Sequence, residues 1–237
     1  MQEKIVILGT GFIAGYLNSG LHYLFSKLRQ PMAGNVCAIG KHPEKLAVRA
    51  DVLKDCLLCT DPIDSVLFKF NPTILIIAVP PTVAVDIAKK YGARVMVDDA
   101  HGLGVLGKHG RGTAEHFGLE KEVDVYMGTF SKSLASLGGY MAASFEVAEF
   151  VKHTSRPFIF SASITPASVA CARAALNILK REPERVENLR KISAFMREQL
   201  KMRGLKIIEA ETPIIPIYTY DDLKTFKACV MLQQNGV

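Results

Sequence analysis

Two short strings in this 237-residue chain hold the side chains with the most chemistry in them. Asp98-Asp99-Ala100-His101 follows the apolar run Val95-Met96-Val97, and Thr129-Phe130-Ser131-Lys132-Ser133 follows the run at residues 123–127. An acid, an imidazole and a primary amine suit pyridoxal phosphate (PLP). A lysine amine forms a Schiff base with its aldehyde, and a carboxylate partnering the pyridinium nitrogen keeps it protonated, so that the ring acts as an electron sink. Singly, each residue has a plainer reading. Asp98 would be a cap or turn residue, Asp99 a surface charge, His101 a polar loop residue and Lys132 a solvated lysine. Together, each string leaves what reads as a buried strand. Ligands of open α/β sheets bind at the carboxyl ends of strands, so both strings are expected to face one crevice.

The stretches VMVDDAHGLGVLGKHGRG and GTFSKSLASLGGY, in that order and including Gly110-Arg111-Gly112, resemble the core of the α-oxoamine synthases. These are PLP-dependent acyltransferases that condense an amino acid with an acyl-CoA and lose carbon dioxide. The resemblance runs from about residue 87 to the C-terminus. It implies Lys132 as the Schiff-base lysine and the base for the α-proton, Asp98 as the acid on the pyridinium nitrogen, His101 at the ring hydroxyl and Thr129 at the phosphate. A matching segment at residues 158–163 implies that Ser161 and Ser163 reach the cofactor phosphate of a partner subunit, and hence a homodimer. A plainer reading has both serines capping the helix that begins near Pro166. The family's ring-stacking side chain and its glycine-led phosphate loop have no match in their usual form. Its carboxylate-binding arginine and a substrate-contacting threonine would lie beyond residue 237, which implies a shortened lobe and weak amino-acid binding.

The first third reads differently. Residues 4–8 (KIVIL) form a strand pattern, followed at once by Gly9-Thr10-Gly11-Phe12-Ile13-Ala14 and a helical pattern at 16–28. In that context Gly9 permits a tight turn, Gly11 lets a pyrophosphate approach the backbone, and Ala14 lets the helix pack on the sheet. After the second strand, at residues 36–39, stands Gly40-Lys41-His42. A lysine there favours NADP, and equally it is an ordinary loop residue. ILGTGFIAGYL and IIAVPP resemble the dinucleotide-binding half of pyrroline-5-carboxylate reductases over residues 4–81. The two resemblances meet in the helix expected at 82–91. Three functions therefore stand side by side. They are a PLP-dependent acyltransferase, an NADP-dependent oxidoreductase or NADP-binding module, and a non-catalytic composite, a chimera of two α/β folds, natural or engineered.

The positions of these strings imply an α/β fold. A mostly parallel, Rossmann-like or PLP-transferase-like sheet near the order 3-2-1-4-5-6 would carry helices on both faces. Residues 1–82 would form a dinucleotide-binding half, 83–182 a core completing the same sheet, and 183–237 a partial α+β lobe. The run at 73–79 reads as a central strand. The stripe Val186, Leu189, Ile192, Met196 and Leu200 reads as the core face of a long helix. Two strands are expected at 205–209 and 213–218, and a last helix at 221–234. With 29 basic and 23 acidic residues the net charge is +6. That charge suits phosphate-bearing ligands, but without a Lys/Arg run it marks no nucleic-acid arm. No stretch reaches the ~20 apolar residues of a membrane span, and no secretory leader is evident. The five cysteines, including Cys56-Leu57-Leu58-Cys59, have no second pair or nearby histidine. They read as buried thiols in a reducing, cytoplasmic compartment rather than as metal ligands.

Overall fold

The computed structural model describes residues 4–8, 25, 31–39, 53, 56–77, 81–208 and 210–237. The chain divides into two compact units, Met1–Tyr91 and Gly92–Val237. Both are α/β. The ladders among the described residues make one four-stranded and one three-stranded sheet.

The first unit is built on β1 (Ile5–Leu8), β2 (Val36–Ile39), β3 (Leu57–Cys59) and β4 (Ile74–Ile77). All three pairings are parallel, in the order β3-β2-β1-β4. Side chains alternate across a strand, and the sheet therefore has two cores. Ile5, Val36 and Ala38 pack with Phe25, Met32 and Leu53 on one face, while Val6, Cys37 and Ile39 pack with Val66 and Leu67 on the other. Val66 and Leu67 come from α1 (Ile63–Phe70), which ends at Asn71 in the left-handed conformation. Asparagine tolerates that conformation. Helix α2 (Pro81–Lys90) begins on a proline, whose missing N–H costs nothing in a first turn. Expected as central, β4 stands at the end of the hydrogen-bonded order, and Ile74 is 43 % exposed. The three-residue β3 is too short to show a period.

That short strand decides the cysteines. Cys59 packs with Cys37 on one face of the sheet, and Cys56 packs against the core of the other. Only Cys37 is buried; Cys56 and Cys59 are half-buried, and Cys171 and Cys229 are exposed. Burial, then the neighbouring thiols of Cys59 and Cys56, push the Cys37 thiol up to about 11. The thiolate is the nucleophile. A thiol reagent at neutral pH is therefore expected to modify Cys171 and Cys229 and to spare Cys37 until denaturant is added. Peptide mapping reads this directly, and early labelling of Cys37 would contradict the packing.

The second unit is built on β5 (Met96–Asp98), β6 (Val125–Thr129) and β7 (Gly139–Ala142). β5 pairs parallel with β6, and β6 antiparallel with β7. Helix α3 (Thr113–Phe117) lies in the β5–β6 connection. Helices α4 (Phe145–Thr154), α5 (Arg156–Ile159), α6 (Pro166–Arg181), α7 (Glu184–Met202) and α8 (Asp222–Gln234) follow. The cap of α6 is Thr165, whose hydroxyl accepts from the Ser168 amide at 3.3 Å. The serines at 161 and 163 do not cap it, because Pro166 fixes the first helical position and the cap is the residue before it. On α7, Val186 is buried, but Ile192 is 65 % and Met196 48 % exposed, so the stripe is core at its start only. Among the described residues the two strands expected after α7 reduce to one antiparallel bridge, Ile207 with Ile217. The Ile208 amide donates to the Pro216 carbonyl, but Pro216 has no N–H to return the bond, which ends pairing on that side.

Candidate functional site

The site is the carboxyl edge of β5 and β6. Asp98 closes β5 opposite Met127, and the next amide, of Asp99, donates to the Met127 carbonyl at 2.8 Å. Both strands run the same way, so Asp98 and Thr129 end at one edge. Asp98 and His101 are exposed. One oxygen of Asp98, Oδ1, accepts from the Ala100 amide at 3.0 Å. Its Oδ2 holds no hydrogen bond among the described residues.

The loop after Asp98, residues 99–112, folds on itself. The Gly104 amide donates to the Gly110 carbonyl at 2.7 Å, and the Gly112 amide to the Leu106 carbonyl at 3.0 Å. Glu115 closes the far side, taking the His109 ring at 2.6 Å and the Arg111 amide at 3.0 Å. Burial opposes the Glu115 charge, but the Arg111 amide and the His109 ring and amide outweigh it and hold the carboxyl below its usual range.

The loop after Thr129 is equally tied. The Thr129 hydroxyl lies 2.8 Å from the Ser131 hydroxyl and 3.1 Å from the Gly138 carbonyl. Ala135 sits in the left-handed region at φ 47°, and the Ser136 hydroxyl donates to the Ser168 carbonyl of α6 at 2.7 Å. Lys132 is exposed on this frame and makes no ion pair among the described residues. The two loops touch. A Cβ on Gly104, whose φ is +75°, would fall 2.6 Å from the Ser133 Cβ. Only glycine permits that approach in that conformation, and it seats the His101 loop beside the residue after Lys132. Asp98 and Thr129 thus end two neighbouring strands at one edge, and the loops that carry His101 and Lys132 meet at Gly104 and Ser133.

Ser161 and Ser163 line a cavity of about 540 Å³ with Gly138, Gly139, Lys152 and His153, and the Gly138 carbonyl is the one that Thr129 bonds. Gly9, Gly11, Ala14 and Lys41 lie outside the described residues. One residue of the edge was misjudged from sequence. Asp99, read as a surface charge, is 2 % exposed. The signal for it was the pair Gly102 and Gly112, which make room for a carboxylate between them.

This arrangement has counterparts. Residues 70–237 match the aminotransferase class I and II family. The chain belongs to that family. Over 153 residues, 65 % of this chain, it is 52 % identical to a serine palmitoyltransferase of Sphingobacterium spiritivorum. Over the same length it is 47 % identical to an 8-amino-7-oxononanoate synthase of Thermosipho melanesiensis. It spans 38 % and 39 % of those two proteins. The serine palmitoyltransferase of Sphingomonas wittichii superposes with a TM-score of 0.67 at 25 % identity, over 94 % of this chain and 53 % of that one. A high-resolution serine palmitoyltransferase structure with PLP superposes with a TM-score of 0.61 at 25 % identity, over 94 % of this chain and 53 % of that one. A share of 94 % is more than residues 70–237 hold, so the likeness reaches into the first unit. These relatives give the NADP expectation no support. No helix among the described residues is long and apolar enough to cross a membrane.

The donor set suits PLP. Among the described residues, an amine without an ion pair, a carboxylate with one oxygen unengaged, an imidazole and two hydroxyls stand at the ends of two parallel strands or on the loops that leave them.

Proposed function

We propose that this chain carries the PLP site of an α-oxoamine synthase, an acyltransferase that joins an amino acid to an acyl-CoA with loss of carbon dioxide. The observation that supports it most is the Gly104–Ser133 contact. It puts the loop bearing His101 against the loop bearing Lys132, at the end of β5 where Asp98 stands. PLP, when bound, supplies a ring that takes up the negative charge left at a substrate α-carbon. Lys132 would hold it covalently through Nζ, and later take the α-proton on that same atom. Asp98 would keep a proton on the ring nitrogen. His101 would orient the ring from its hydroxyl side, and Thr129 would bind the phosphate. Ser161 and Ser163 would bind the phosphate of a partner subunit, which makes the working form a homodimer in the cytoplasm.

The test is a screen of amino acids against acyl-CoA thioesters with PLP present, reading free CoA thiol and released carbon dioxide together. Both products in equal amounts, only with an amino acid, are expected. Thiol release without carbon dioxide would mean simple thioester hydrolysis and would overturn the reading. A second reading rests on the sheet order β3-β2-β1-β4 with Gly9 directly after β1, which is the order of a dinucleotide-binding half. It assigns NADP to the first unit, through Gly9, Gly11, Ala14 and Lys41.

A further inference from the structure

Asp98 has a neighbour that the proposed chemistry does not use. Asp99 is 2 % exposed, and among the described residues it is paired with no cation. Its carboxylate is held by Thr113 alone, through the amide at 3.1 and 2.8 Å and the hydroxyl at 2.6 Å. Taking a carboxylate out of water costs several kcal/mol, and two neutral donors, one of them shared between both oxygens, return only part of that. A buried charge of this kind is a weak stabiliser, so its use lies in what it holds in place.

The backbone of Asp99 is fixed on three sides as well. Its amide donates to the Met127 carbonyl on β6, and its carbonyl accepts from the amides of Gly102 and Leu103, both at 3.1 Å. His101 therefore stands between two anchored points, Asp99 and Gly102. The carboxylate also fills the space between the two ends of the loop. A Cβ on Gly102 would come within 1.8 Å of Oδ1, and one on Gly112 within 1.8 Å of Oδ2. Residues 99–112 thus leave β5 and return to α3 across a knot that joins their two ends, Asp99 to Thr113, while Glu115 holds His109 and Arg111 farther out.

We infer that Asp99 is a positioning residue, which fixes Asp98 and His101 for cofactor binding by tying their loop shut at Thr113. This rests on the PLP reading above for its purpose, but not for its geometry. With the knot intact, the peptide after Asp98 and the start of the His101 turn have one orientation. With the Thr113 hydroxyl removed, Asp99 keeps its charge and loses its shortest bond, and the loop opens locally before the unit unfolds.

Two readouts test it. The first needs no cofactor. Lys108 and Arg111 are exposed in this loop, so trypsin reports its opening. Thr113→Val and Asp99→Asn are expected to be cut there about tenfold faster, as loss of a hydrogen bond to a charged group would give, while Thr113→Ser stays near the parent. The second readout is the pH midpoint of the visible absorbance of the PLP-loaded protein. It should move in Thr113→Val and Asp99→Asn and return in Thr113→Ser. A Thr113→Val protein cut like the parent, with an unmoved midpoint, would overturn the inference. If Asp99→Asn fails to fold, the Thr113 pair alone decides. If the parent retains no PLP, the acyltransferase reading fails, and unchanged trypsin cutting would sink the knot separately.

Discussion

Replacing Lys132 by alanine is expected to reduce covalently retained PLP to background. Incubation with PLP, borohydride reduction and desalting should leave the parent with a pyridoxyl group on the peptide containing Lys132, and the variant with none. The amine is exposed and engaged in no ion pair among the described residues, so it gives up little to reach an aldehyde. Its backbone is fixed by the Ser136–Ser168 bond and by the turn between Lys132 and Ala135, whose amide donates to the Lys132 carbonyl at 3.1 Å. Lys108 is the informative competitor, being exposed in the neighbouring loop. Equal labelling of parent and Lys132→Ala, or a label that maps to Lys108, would show that surface amines react and that the edge holds no cofactor.

The largest loss of stability is expected from Gly112→Ala. Gly112 has φ 105° and ψ −162°, a region that only glycine enters at low cost. A side chain there costs roughly 1–3 kcal/mol in backbone strain. The added Cβ would also lie 1.8 Å from a carboxylate oxygen of Asp99, so the buried acid must move and lose its bonds to Thr113. That adds about 1–3 kcal/mol. The sum, about 2–6 kcal/mol, lowers the melting temperature of a unit of this size by roughly 4–24 °C. Gly118→Ala is the control. It shares a positive φ, +68°, but its Cβ would meet nothing within 4 Å. It should cost only about 1 kcal/mol, the price of the conformation. Equal melting temperatures for the two variants would mean that Gly112 and Asp99 are not in contact.

These two predictions draw on different kinds of information. The strand end before Lys132 was legible in the sequence, because the run Val125-Tyr126-Met127 opens into Thr129-Phe130-Ser131. The order β3-β2-β1-β4 was likewise legible, since each long apolar run in the first unit became a parallel strand. The Asp99 knot was not legible. A second acid beside the first has the composition of a solvated turn, and its partner, Thr113, lies 14 residues on at no helical or strand period. Pairings of that kind are set by tertiary contact, and no local pattern reports them. Two failures had local causes that pattern reading underweights. Pro216 stopped the strands after α7, in a stretch otherwise rich in isoleucine. On α7 the period was right, but a period names a face and not what covers it, so Ile192 and Met196 stand exposed.

The sheet that separates Cys56 from Cys59 also acts as an insulator. An extended step of three residues covers roughly 10 Å, and a disulfide spans at most about 7 Å between Cα atoms. Closing that pair would require β3 to leave β2, breaking the ladder that links Cys37 to Leu57 and Ile39 to Cys59. The CxxC spacing is therefore inert as a redox couple while the sheet holds. Oxidative stress would be recorded elsewhere in the molecule, on the exposed Cys171 of α6 and Cys229 of α8, as adducts with small thiols and crosslinks between chains.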